Sequence, residues 1–191
     1  NLVNNTFENL YASKSGGAIA LTGFVMINLE NSTFNNVSSG YNGGAINADG
    51  QGWASGVKAQ MQIRNTEFRN AKSKYGAVFT AIGAKIHFDN CTFEDNYAQS
   101  NGVIYSSQSD LFITGSTFKN NKLNSTEDVN QAMLYAYHST LIIDNTEFID
   151  NSNGIFSLNG ICNVSNTVFD KNGNAIYSMS TIIISLDNNV Y

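Results

Sequence analysis

One eight-residue phrase restricts what this chain can fold into more than any other feature. Met61-Gln62-Ile63-Arg64-Asn65-Thr66-Glu67-Phe68 reads apolar, x, apolar, x, Asn, x, x, Phe, and it returns at Ile27 to Phe34, Ile86 to Phe93, Leu111 to Phe118, Leu141 to Phe148 and Cys162 to Phe169, with partial copies at Leu2 to Phe7 and Ile184 to Tyr191. Aligned on the closing aromatic, these eight copies become columns. Three residues before the aromatic stand Asn4, Asn31, Asn65, Asn90, Gly115, Asn145, Asn166 and Asn188. Five before it stand Leu2, Leu29, Ile63, Phe88, Ile113, Ile143, Val164 and Leu186; seven before it, Ile27, Met61, Ile86, Leu111, Leu141, Cys162 and Ile184. Both of these columns are wholly apolar, and the positions between them, Glu30, Arg64, Asp89, Thr114, Asp144, Ser165 and Asp187, are polar. Alternation with period two is a strand that buries one face.

Successive aromatics lie 27, 34, 25, 25, 30, 21 and 22 residues apart, the range in which self-similarity means a solenoid or another repeat architecture. A single coil cannot bury its own apolar face. Stacking sets Leu29 on Ile63 and Ile63 on Phe88, each burial contributing roughly 1.5–3 kcal/mol. It also aligns the asparagines, whose side-chain amides can pass hydrogen bonds between coils about 4.8 Å apart. The sequence therefore predicts a structural ladder of Asn4, Asn31, Asn65, Asn90, Asn145, Asn166 and Asn188, buried at one corner. On that reading Asn90→Ala costs about 1–3 kcal/mol through unsatisfied buried partners.

After each aromatic comes a polar corner such as Glu94-Asp95-Asn96 or Lys119-Asn120-Asn121, rich in residues that tolerate left-handed backbone. A small-residue strand follows, clearest in Gly16-Gly17-Ala18-Ile19 and Gly43-Gly44-Ala45-Ile46. No stretch repeats apolar residues at helical spacing, and a chain without a single proline suits continuous strand ladders. The expectation is an all-β parallel β-helix of about seven coils, each with three short strands. A leucine-rich horseshoe needs a helical return segment, and here the returns carry a second apolar strand. Residues 1–191 read as one β-helix segment, an internal part of a longer repeat protein.

The formal net charge is −5, with ten Lys and Arg spread singly; this argues against nucleic acid as a partner. No apolar run approaches the roughly 18 residues of a spanning helix. No metal-ligand pattern, calcium-repeat signature or phosphate-cradling glycine motif is present, so no cofactor is expected. Cys91 and Cys162 fall three coils apart, about 14 Å at strand spacing, too far to bridge. Two free, partly buried thiols are expected.

Phe93-Glu94-Asp95-Asn96, Phe118-Lys119-Asn120-Asn121, Phe148-Ile149-Asp150-Asn151 and Phe169-Asp170-Lys171-Asn172 share the pattern Phe-x-x-Asn, and Gly-Gly-Ala-Ile is its companion. The pair resembles the repeats of polymorphic outer-membrane proteins and of Asn-rich surface proteins of ciliates and other protists, in the pectate-lyase-like β-helix class. Phe7, Phe34 and Phe68 lack the later Asn, and five coils degrade the glycine motif. The resemblance implies a right-handed helix and a surface or adhesive role, hence an extracellular or cell-surface location.

Two intervals exceed the period. One carries an insertion with Gln51 and Trp53, the other an insertion over Lys122 to Asn130; solenoid insertions map to surface loops that are either binding faces or tolerated drift, and Gln51 and Trp53 are the binding candidates. Enzymes of the resembled class act on acidic polysaccharides with groups on an outer strand face. The catalytic candidates are accordingly Arg64, Asp89 and Asp144, in file with Thr114 and near His87, although Asp89 and Asp144 would lie about 10 Å apart, slightly beyond an inverting carboxylate pair. The competing reading is a solvated Arg64–Asp89 ion pair. Six Asn-x-Ser/Thr sites occur; with Asn4, Asn31 and Asn90 expected to be buried, Asn36, Asn124 and Asn163 are the glycosylation candidates.

The function expected is a non-enzymatic extracellular or cell-surface rod, structural or adhesive, and the alternative is a carbohydrate-binding or polysaccharide-cleaving lyase or hydrolase. Expected partners are further coils of the same chain or head-to-tail copies, and a cell-surface protein or glycan. Leu2 and Phe7, and Leu186 and Tyr191, would meet at an end-to-end junction.

Overall fold

The computed structural model describes residues 1–50, 58–124 and 132–191, and every described element is a strand, all paired in parallel. The repeated phrase forms an eight-stranded sheet I: Leu2–Val3, Met26–Glu30, Ala59–Arg64, Ala84–Asp89, Asp110–Thr114, Thr140–Asp144, Ile161–Ser165 and Ile182–Asp187. The three residues centred on each Phe form the seven-stranded sheet II, from Thr6–Glu8 to Val168–Asp170. The small-residue strands, Ile19–Thr22 to Ile176–Met179, form the seven-stranded sheet IV.

Between sheets II and IV lies a fourth sheet that the three-strand reading does not contain. Sheet III has five strands, Tyr11–Ala12, Ser38–Ser39, Lys72–Tyr75, Tyr97–Ser100 and Lys122–Leu123. It stops there for a reason of length: the intervals of 21 and 22 residues after Phe148 and Phe169 have too few residues to include another strand.

The two apolar columns line the interior as expected. Leu29, Ile63, Ile86, Ile113, Leu141, Ile143, Cys162 and Val164 are fully buried. Register is strict through the middle of the stack, Phe88 pairing with Ile63 on one side and Ile113 on the other. In the last coil it shifts between Cys162 and Asn163, so Ile183 and not Ile184 pairs with Cys162, and Leu186 is 43% exposed.

The aromatics stack through the whole described length. Phe7, Phe34, Phe68, Phe93, Phe118, Phe148, Phe169 and Tyr191 form one column with ring centroids 4.3–5.6 Å apart and planes within 20° of parallel.

The asparagine column is an exposed file, which corrects the expectation of burial. Asn4, Asn31, Asn65, Asn90, Asn145, Asn166 and Asn188 are all solvent-exposed, and their side-chain amides link from Asn90 to Asn65 (2.8 Å), from Asn65 to Asn31 (3.1 Å) and, more loosely, from Asn188 to Asn166 (3.4 Å). What every member shares is backbone: all seven, and Gly115 with them, have φ between 47° and 58°. An L-residue pays roughly 1–2 kcal/mol there, least for asparagine and nothing for glycine. The column exists because sheet I must turn into sheet II through a left-handed residue. The next corner repeats the device at Asn9, Asn36, Asn70, Asp95, Asn120, Asp150 and Lys171, with φ of 51–56°.

The buried ladder is built by other asparagines, those of Phe-x-x-Asn. Asn121 is fully buried; its Nδ2 donates to the Phe93 carbonyl and to Asn151 Oδ1, both at 2.9 Å, and its Oδ1 accepts from the Asn96 backbone N–H and from Asn96 Nδ2 at 3.0 Å. Asn151 repeats these bonds with Phe118 and Asn172, and Asn96 with Phe68. At the Phe68 end, Asn96 Oδ1 accepts from the Ala71 backbone N–H, since Ala71 occupies the ladder position in that coil.

A third file follows the exposed asparagines. Ser32, Thr66, Ser116, Thr146 and Thr167 each donate a hydroxyl to the carbonyl two residues earlier. Cys91 takes this place in its coil. Burial pushes the thiols of Cys91 and Cys162 up to about 11, and both are free and buried. Neither should react with iodoacetamide at pH 8 in the folded protein, and both should react in denaturant; native alkylation of either within minutes would show that these coils open.

Candidate functional site

Sheet I brings the sequence-predicted residues into one outward file by register alone. Arg64 pairs with Asp89, Asp89 with Thr114, and Thr114 with Asp144. Beside it runs Gln62, His87, Phe112, Ile142. A shallow depression of about 250 Å³ lies over Gln62, Arg64, His87, Asp89, Phe112 and Thr114.

Within that file the groups are engaged with neighbours rather than with each other across a cleft. Arg64 Nε sits 3.9 Å from Asp89 Oδ2, with both side chains at least half exposed, a pair contributing under about 1 kcal/mol. Asp144 turns the other way: its Oδ1 accepts from Ser165 Oγ and Asn166 Nδ2, both at 2.8 Å, and these bonds hold its carboxyl below the usual value. Thr114 stands between the two carboxylates. Asp89 and Asp144 do not converge on one point.

His87 lies flat on Phe112, centroids 4.4 Å apart and planes within 6°, and Lys85 Nζ stands 5.3 Å from the Phe112 centroid. Burial first, then the charges of Lys85 and Arg64, lower the imidazole below its ordinary value, so His87 is neutral near pH 7. A neutral imidazole can exchange hydrogen bonds with a polar ligand. Because the two rings stack between coils, they turn edges to the solvent, and a sugar ring gains no flat platform there. Further along the face, Lys58 Nζ binds Asp110 Oδ2 at 2.9 Å.

The remaining candidates divide. Gln51 and Trp53 lie outside the described residues, as does most of the second insertion. Asn36 and Asn124 are exposed; Asn124 Oδ1 accepts from the Tyr97 hydroxyl at 2.9 Å. Asn163 is half-buried with its Oδ1 enclosed, whereas Asn4, Asn31 and Asn90 are exposed. The burial division between acceptor and non-acceptor sequons therefore does not hold, because the repeated Asn corner faces solvent. Among the described residues no cluster of three or more His, Cys, Asp or Glu is placed to hold a metal ion.

Sequence reasoning missed an aromatic file on the outer face of sheet IV. Tyr105, Tyr135, Phe156 and Tyr177 follow one another with centroids 5.6, 4.9 and 5.5 Å apart, the first two pairs tilted by 38° and 41° and the last stacked within 13°. The signal was visible as an aromatic one residue after the apolar position in four successive small-residue strands. Nearby, Lys74 Nζ lies 5.0 Å from the rings of both Tyr41 and Tyr75, and these two rings line a depression of about 350 Å³ together with Asn42, Asn101 and Tyr105.

The family described as a right-handed β-helix region matches residues 17–190. The chain belongs to the right-handed β-helix family. No curated protein and no solved structure matches it. Membership fixes the hand of this β-helix and its stacked parallel sheets. Among the described residues, no helix of the β-helix is long and apolar enough to cross a membrane.

Proposed function

We propose that this right-handed β-helix is a stretch of an extracellular or cell-surface rod with a structural or adhesive role, not an enzyme. The observation that carries the reading is the fate of the acid–base candidates. Arg64 is paired with Asp89, Asp144 is held by the next coil, and His87 is stacked on Phe112. Each of these side chains is used to join one coil to its neighbour. Partners consistent with this role are further coils of the same chain, head-to-tail copies, and a cell-surface protein or glycan.

A second reading, a carbohydrate-binding or polysaccharide-cleaving protein, draws on the depression beside Arg64, His87 and Asp89. Two measurements separate the readings. Antibody to this segment should label intact, unpermeabilised cells of the source organism, and incubation with acidic and neutral polysaccharides should release no new reducing or unsaturated ends. Labelling only after permeabilisation, or polysaccharide cleavage abolished by Asp89→Asn, would overturn the rod.

A further inference from the structure

The exposed asparagine file has one gap, and the gap has the form of a site. At Gly115 the backbone keeps the left-handed conformation of the file, φ 58°, but supplies no carboxamide. A Cβ there would meet nothing closer than the Asn90 backbone nitrogen at 3.9 Å. Space is therefore not what excludes a side chain. Over the gap lies a depression of about 280 Å³, reaching across three coils past Thr117, Asn145, Glu147 and Asn166.

The two amides that flank the gap are left unfinished. Asn90 Nδ2 donates to Asn65 Oδ1 at 2.8 Å, continuing the run from Asn31, while among the described residues its Oδ1 accepts from no side chain and the Asn145 carboxamide has no side-chain partner. Asn90 and Asn145 are two coil rises apart, roughly 9.6 Å at strand spacing. One amide placed midway would close the file, with its N–H donating to Asn90 Oδ1 and its carbonyl accepting from Asn145 Nδ2. A trans secondary amide has N–H and C=O pointing in opposite directions, the arrangement that joins parallel strands at this spacing. A primary amide on a short flexible arm is not required.

We infer that the Gly115 gap binds the acetamido group of a 2-acetamido sugar, whose amide takes the missing place between Asn90 and Asn145. The sugar ring then lies toward the later coils, where the Thr117 hydroxyl, the Glu147 carboxylate and the Asn166 amide line the depression and can exchange hydrogen bonds with ring hydroxyls. A depression of this size holds one sugar residue. The site is separate from the depression at Arg64 and Asp89, and its ligand does not require the chain to be a rod.

The test is a titration of the isotopically labelled protein with N,N′-diacetylchitobiose, followed through the side-chain amide signals of Asn90 and Asn145. Saturable shifts centred on those two residues are expected. The deacetylated disaccharide, and N-acetylglycine N-methylamide as a peptide-like amide without hydroxyls, should each bind at least tenfold more weakly. Gly115→Asn should fill the gap from within and weaken binding at least tenfold, with melting unchanged or raised, since seven other coils carry asparagine at this φ. Asn145→Asp keeps the shape, removes the donor and should weaken binding by a similar factor. Undisturbed binding by Gly115→Asn, equal binding of either comparison ligand, or no saturable shift up to the solubility of the disaccharide would overturn the site.

Discussion

Replacing Phe93 with alanine is expected to lower unfolding free energy by about 3–5 kcal/mol. Phe93 is fully buried in the middle of the aromatic column. It faces Phe68 at 5.2 Å and Phe118 at 4.3 Å, and meets Phe88 edge-on at 5.3 Å. Truncation removes the ring, leaves a cavity that strand neighbours in fixed register cannot close, and breaks three ring contacts, each contributing about 0.5–1.5 kcal/mol beyond burial. Stability in a solenoid is close to a sum over coils and their interfaces, so the loss should be centred on this coil. Phe7→Ala, with one ring neighbour and a partly exposed side chain, should cost less than half as much. Denaturant unfolding followed by far-ultraviolet circular dichroism measures both; a loss under about 1 kcal/mol for Phe93→Ala would show that the column is not what holds the coils together.

The second large effect is expected at Asn121. Its carboxamide serves four hydrogen bonds in a site with no solvent. Alanine orphans the Asn96 backbone N–H and removes one bond each from the Phe93 carbonyl, from Asn96 Nδ2, which keeps the Phe68 carbonyl, and from Asn151 Oδ1, which keeps the residue-121 backbone N–H; a buried orphan costs about 1–3 kcal/mol, and the weakened bonds of the network add to it. A net loss on the order of 3 kcal/mol is expected. Aspartate is no rescue, because it restores the acceptor but replaces both donations with a buried charge. Chemical unfolding of the two variants checks this: recovery of wild-type stability by Asn121→Asp would mean that water reaches the ladder.

Much of the fold was legible because period-two alternation and a repeat length are properties of the chain itself. Leu29, Ile63 and Ile113 had to share an interior once the copies were aligned. The meaning of the asparagine column was harder to read, since a left-handed corner and a buried amide ladder both select asparagine. Gly115 was the discriminating residue: a left-handed position accepts glycine, and a ladder does not. The inward ladder was present as Phe-x-x-Asn, but only Asn96, Asn121, Asn151 and Asn172 form it, so it stood out less than the exposed column. Sheet III was hidden because strands such as Ser38–Ser39 are two polar residues long, without room for a period. At the candidate site the file of Arg64, Asp89, Thr114 and Asp144 followed from register. The stacking of His87 on Phe112 and the turning of Asp144 to Ser165 and Asn166 depend on rotamers and on residues one coil away, which no spacing within a strand encodes.

The most direct test of the two asparagine roles is the paired urea unfolding of Asn90→Gly and Asn121→Gly. Glycine keeps the left-handed corner at Asn90, where φ is 53°, so the loss there should stay under about 1 kcal/mol. At Asn121, where the side chain and not the backbone is required, it should be on the order of 3 kcal/mol or more. Equal losses, or a greater loss at Asn90, would contradict the account.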